Sequence, residues 1–110
     1  MAYIPKQGDI VWLNFDPSSG NEITKRRPAF VISREVFNRH MGLAIVAPIT
    51  STIRGIQLEV VLPNELKTVG AILVYQMRSL DIIARNVKLI EKTPKDIIEK
   101  VCSLARILVL

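Results

Sequence analysis

The chain carries Gly20-Asn21-Glu22-Ile23-Thr24-Lys25-Arg26-Arg27-Pro28 and runs on directly into Ala29-Phe30-Val31-Ile32-Ser33. One carboxylate and three successive cations therefore precede an apolar, β-branched stretch. Pro28 fixes its own φ and favours an extended residue before it. Arg27 is expected at the mouth of a rigid element, where its planar fork of donors suits a phosphate. Many ordinary strands follow a charged loop, so an ion pair of Arg27 with Glu22 stands as the plain alternative.

The remaining inventory narrows the chemistry. There is no Gly-rich phosphate loop, no paired zinc ligands and no nucleophile elbow. One cysteine, Cys102, and one histidine, His40, exclude an internal disulfide and a histidine-rich metal cage. Catalysis must then come from Arg, Lys, Thr, Ser, Asp, Glu and Tyr. That set suits phosphoryl chemistry on RNA, which brings its own nucleophile, the 2′-hydroxyl beside the scissile phosphate. The protein has only to orient it and stabilise the charged phosphorane, so no metal or cofactor is expected.

Around Arg27 the candidates are these. Thr50, just past Pro48-Ile49, can donate to the same phosphate; a local backbone hydrogen bond is its ordinary use. Glu22 can orient Arg27 or accept a proton, or be a solvated loop charge. Lys25 and Arg26 offer sequence-independent attraction to a phosphate backbone. Ser51 joins them as a substrate-binding hydroxyl, Gln76 can read a base edge, and Arg78 can extend a cationic groove while Asp81 fixes it or contacts RNA. A strand-end hydrogen bond for Gln76 and a structural Arg78–Asp81 pair are the alternatives.

These residues need a scaffold. The chain has 110 residues, 49% of them apolar, enough for one domain spanning 1–110 with a core of Ile, Val and Leu. Phe, Trp and Tyr together make 5%, which leaves little for a base-stacking platform. A net charge of +5 favours polyanionic partners. The N-terminal residues lack a signal-peptide pattern and no apolar run is long enough to span a bilayer, so a cytoplasmic protein is expected.

Strands are expected at Ile10–Phe15, Ala29–Ser33, Leu43–Ile49, Gln57–Leu62, Ala71–Met77 and Val87–Ile90, with Arg78–Ile83 continuing the fifth or following a short bend. Arg34–His40 predicts a short helix closed by Gly42. Thr93-Pro94-Lys95-Asp96 predicts a capped helix start, with Ile97, Val101, Leu104, Ala105 and Leu108 on one face. Strands do not alternate with long helices. The expected class is mainly β: a small, strongly bent antiparallel sheet closing toward a barrel, with a short middle helix and a C-terminal helix.

Gly8-Asp9-Ile10-Val11-Trp12-Leu13-Asn14-Phe15-Asp16-Pro17, then Gly20-Asn21-Glu22, Arg27-Pro28, Pro48-Ile49-Thr50-Ser51 and Gln76 to Asp81 resemble, in order, the MazF/PemK family. These are the toxins of bacterial type II toxin–antitoxin pairs. The resemblance implies an SH3-like barrel with a C-terminal helix, working as a homodimer. It implies a metal-independent endoribonuclease that cuts single-stranded RNA, often mRNA, and leaves 2′,3′-cyclic phosphate and 5′-hydroxyl ends. By position Arg27 matches the family's catalytic arginine, Thr50 its partner threonine and Glu22 an acid near the site. Some members place an Arg and an Asp two apart before the Gln. Here that strand reads Leu73-Val74-Tyr75-Gln76, so the Arg/Thr form of the site is implied and the general base is unassigned. The implied partner is an antitoxin with an acidic, flexible C-terminal segment. Two other readings stand beside this one: a gyrase-binding toxin of the CcdB kind, and a non-catalytic SH3-like module binding RNA or protein.

Overall fold

The structure, a computed structural model, describes residues 3–15, 26–53 and 55–109. β1 (Asp9–Asn14) and β2 (Arg26–Val31) pair antiparallel from Ile10↔Phe30 to Asn14↔Arg26. A short helix, α1 (Glu35–Met41), leads to β3 (Leu43–Thr50). Gly42 ends that helix in the left-handed region, φ 66°, with its N–H on the Asn38 carbonyl, the cap expected of glycine there. β4 (Glu59–Val61), β5 (Ala71–Leu73), β6 (Arg78–Asp81), β7 (Lys88–Lys92) and α2 (Lys95–Val109) complete the described elements. The strand order is β4-β5-β3-β2-β1-β7, with β6 also on β3 and every pairing antiparallel.

β3 is shared. Leu43–Val46 pair with β6, Val46–Pro48 with β2, and Ile49–Thr50 with β5. The strand thus passes from one sheet to the other, and alternation gives it two buried faces. One face joins Ile10, Phe30, Ile32, Ala47, Ile49 and Ile72 to α2 through Ile97, Val101 and Ala105. The other joins Val11, Leu13 and Phe15 of the first strand's run to Ala29, Val31, Ala44, Val46, Leu80 and Ile82. Burial on both faces is why these strands read as continuous apolar runs rather than alternating ones. Each such Val, Leu, Ile or Phe side chain contributes about 1.5–3 kcal/mol on leaving water.

Three expectations change. The strand expected through Met77 stops at Leu73, and Val74–Gln76 form one 3-10 turn closed by Met77 N–H on the Val74 carbonyl. The reason is register. Extending the Ile49↔Ile72 ladder would set Tyr75 opposite Val46, but Arg78 stands there. The turn takes up the three intervening residues. Thr93 does not cap α2: its hydroxyl donates to the Gly8 carbonyl at 2.7 Å, and the Pro94 carbonyl accepts from Ile97 and Ile98 instead. Leu108 is exposed, with its neighbours Ile107 and Val109, in the last turn of α2, whose burial ends at Ala105.

Candidate active site

Four strand ends meet at one rim. β1 ends there and β2 starts there; β3 ends there and β6 starts there, because the neighbours are antiparallel. Arg27 stands directly opposite Leu13, so its side chain leaves on the Leu13–Ala29 face, above the second core. The β2–β3 ladder reaches Ala29↔Pro48. Two residues further in that register, Arg27 is level with Thr50. Thr50 shares the face of Val46 and Pro48 by the two-residue period of a strand. Arg78 stands opposite Val46 on the same face. The sheet therefore brings Arg27, Thr50 and Arg78 to one end of one core.

Thr50 is only 7% exposed. Its Oγ1 accepts the Thr52 N–H at 3.2 Å, which leaves the hydroxyl proton to donate elsewhere. The backbone behind it is clamped. Gly70 has φ 130°, and a Cβ built there would lie 2.0 Å from the Thr50 carbonyl oxygen. Only glycine lets β5 approach this closely. Arg78 is held by the end of β1: its guanidinium lies 5.5 Å from the Phe15 ring centroid and its Nη2 donates to the Phe15 carbonyl at 3.0 Å. The Arg27 Nε is buried and meets no acceptor among the described residues. A buried guanidinium N–H in that position is suited to an anionic oxygen.

The other sequence candidates fall in different places. Glu22 and Lys25 lie outside the described residues. Ser51 follows Thr50 in a bend and is exposed. Gln76 closes the 3-10 turn just before Arg78, half-buried. Arg26 lies apart from the rim: alternation sends it to the opposite face of the sheet, where its Nη2 donates to the Asn86 carbonyl at 3.0 Å. The expected pairing of Asp81 with Arg78 is corrected. Asp81 stands at the other end of β6, about 10 Å along the strand from Arg78, and its Oδ1 accepts the Ile83 and Ala84 N–H groups at 2.9 Å each. It builds the turn after β6 and does not fix Arg78.

The lone thiol plays no part at the rim. Cys102 lies on α2 on the far face, its pKa raised by burial, with Gln7 Nε2 3.5 Å from Sγ. Among the described residues no three His, Cys, Asp or Glu side chains assemble as metal ligands. No helix among them is long and apolar enough to cross a membrane.

The chain and its fold have known counterparts. A family model described as "PemK-like, MazF-like toxin of type II toxin-antitoxin system" matches residues 6–109. The chain belongs to the MazF/PemK toxin family. Escherichia coli ChpB, an endoribonuclease toxin, is 39% identical over 100 residues, covering 86% of this chain and 85% of that protein. Escherichia coli MazF, also an endoribonuclease toxin, is 36% identical over 78 residues, covering 71% and 69%. Among solved structures, MazF from Deinococcus radiodurans superposes with a TM-score of 0.94 at 37% identity over 98% of both chains. A MazE–MazF structure from the same organism gives 0.87 at 37% identity, over 98% of this chain and 97% of that one. Within a MazF/PemK fold, the clamp of Thr50 by Gly70 and the grip of Phe15 on Arg78 are features the sequence did not announce. The glycine is one of several, and a carbonyl acceptor leaves no mark in residue types.

Proposed function

We propose that this chain is an endoribonuclease toxin of a type II toxin–antitoxin pair, and that the rim holding Arg27 and Thr50 cuts single-stranded RNA. The observation that carries the reading is the convergence of two guanidinium groups and a buried hydroxyl above one core. In the reaction the ribose 2′-oxygen forms a bond to the adjacent phosphorus and the bond to the 5′-oxygen breaks. The products are a 2′,3′-cyclic phosphate and a 5′-hydroxyl. One proton leaves O2′ and one arrives at O5′. Arg27 stabilises the phosphorane charge and stays protonated throughout. Thr50 donates to a non-bridging oxygen while the Thr52 N–H steadies it. Arg78 adds positive potential at the same rim. Glu22 is the carboxylate proposed to orient Arg27 or to take the O2′ proton. Gln76 and Ser51 are proposed to contact nucleotides beside the scissile phosphate, and Lys25 is proposed to attract the backbone. Nothing in this sequence of steps requires a metal.

The partner proposed is an antitoxin with an acidic, flexible C-terminal segment, which would neutralise the +5 chain and cover the rim as it folds. The MazE–MazF structures from Deinococcus radiodurans, in which a relative is bound to a partner protein, support a partner of this kind. A homodimer is proposed as well. Ile107 and Val109 project exposed from the end of α2 beside an apolar groove of about 350 Å³ between α2 and the sheet, a surface suited to a second copy. With RNA as substrate, the place of action is the cytoplasm.

The test is cleavage of long single-stranded RNA by the purified protein in excess EDTA. Discrete fragments ending in cyclic phosphate are expected, and Arg27→Ala should lower the rate about 10²–10³-fold with an unchanged circular-dichroism spectrum. Intact RNA, with DNA gyrase trapped instead, would assign the chain to the gyrase-binding alternative. Intact but retarded RNA would leave only a binding module.

A further inference from the structure

Arg26 and Arg27 are consecutive, yet they leave β2 on opposite faces. The rim takes Arg27; the outer face takes Arg26. That outer face also carries Trp12, the sole tryptophan of the chain. On β1 the same face begins with Ile10, which α2 covers completely. Two residues on, the helix no longer reaches, and Trp12 is 38% exposed. The ring stands between Pro28 of β2 and Lys88 of β7, its direct cross-strand neighbours. The Arg26 guanidinium lies over it, 5.8 Å from the centroid. Arg85, whose Nη1 is 3.4 Å from the Asn14 carbonyl, flanks the same end of β1.

An indole with one guanidinium over it and a lysine as its cross-strand neighbour is poorly suited to an apolar protein surface, which would have to desolvate those charges. It is well suited to single-stranded nucleic acid. Bases stack on aromatic rings and on guanidinium planes, and flanking lysines and arginines meet the phosphates. We infer that the outer face of β2-β1-β7 is a second RNA subsite, in which a nucleotide flanking the cleavage point stacks on the Trp12–Arg26 pair. Lys88 and Arg85 then draw in the neighbouring phosphates. This rests on the reading of the substrate as single-stranded RNA. The two sites share the start of β2 as their border, where the consecutive residues Arg26 and Arg27 face opposite sides of the sheet. The stacking contact reads no base identity. It lengthens the footprint rather than setting the cleavage motif.

Because Trp12 is the sole tryptophan, its fluorescence reports the subsite directly. The inactive Arg27→Ala full chain would be titrated with a long and a short fluorophore-labelled single-stranded RNA, following label anisotropy and tryptophan emission together. The long RNA should quench Trp12 in step with the anisotropy rise. Trp12→Ala in that background should weaken the long RNA about tenfold and leave the short one unchanged, and Trp12→Phe should recover most of the loss. Lys88→Glu should weaken the long RNA most at low salt. Anisotropy that rises while emission stays constant would overturn the subsite, as would Trp12→Ala binding both RNAs like its parent. Emission that responds only to protein concentration would overturn it too, and would assign the face to a protein contact. Cleavage by the unsubstituted chain is scored separately, so loss of the subsite leaves the nuclease reading standing, and the reverse.

Discussion

Arg27 and Thr50 ask different things of their side chains. Arg27 must supply a charge and a fixed fork, so Arg27→Lys keeps the first and loses the second. A drop of about 10²-fold in single-turnover cleavage is expected, with RNA affinity nearly retained. Thr50 needs only a hydroxyl in place. Thr50→Ser should stay within a few-fold of the parent rate, whereas Thr50→Val should lose about 10- to 100-fold. Equal rates for Ser and Val would remove the hydroxyl from the reaction. At this scale the sequence was readable where strand alternation settles direction and blind where it needs a register. The Pro after Arg27 and the apolar run behind it marked a rigid arginine. That Arg26 turns its back on Arg27 follows from alternation only once β2 is known to begin at Arg26 rather than at the expected Ala29. Asp81 looked like a partner for Arg78 by proximity in sequence, but its Oδ1 is occupied by the turn that follows it.

Among the elements, α2 and the β5–β3 junction bear most directly on the site. Ile97 is buried where α2 meets the sheet, and Ile97→Ala should cost about 2–5 kcal/mol in chemical denaturation. Gly70→Ala combines a forbidden φ with a collision on the Thr50 carbonyl oxygen. A loss of roughly 2 kcal/mol or more is expected, with a cleavage defect in the fraction that remains folded, because Thr50 must shift to make room. A Gly70→Ala chain with parental urea midpoint and rate would mean that this clamp is dispensable. The elements themselves were largely visible in the residues: both helices, the Gly42 cap and the apolar strands stand about where periodicity put them. The 3-10 turn was not. Val74-Tyr75-Gln76 has the β-branched and aromatic character of a strand, and only the competing demands of two ladders on β3 bend it.

For the whole molecule, acid is the informative stress. Burial pushes the Glu91 carboxyl upward, but the Thr68 hydroxyl and the Lys67 and Thr68 N–H groups bond it and bring it, on balance, below its ordinary value. A carboxyl lowered in the folded state contributes stability above its unfolded pKa and loses that contribution as pH falls through the folded one. Glu91→Gln should therefore flatten the acid side of a Tm-against-pH profile and change the neutral region less steeply with pH. At the alkaline end the sign reverses. Tyr3 is raised by burial and by its hydrogen bond to the Asp9 carboxylate, so its contribution is complete below the ordinary tyrosine pKa and fades as pH climbs above it. Tyr3→Phe should remove that alkaline loss. Overall charge has a simpler signature: RNA affinity of the Arg27→Ala chain should fall linearly on a plot of log affinity against log salt.

The sharing of β3 among β2, β5 and β6 has one more implication. A single backbone stitches both hydrophobic layers together, so neither can loosen without the other. Among the described residues, one strand links the gripping half to the supporting half. Native-state hydrogen exchange should accordingly find the β3 amides opening only in global unfolding. An inhibitor that works by prying the jaws apart has nothing to lever against, and silencing such a protein means capping its mouth.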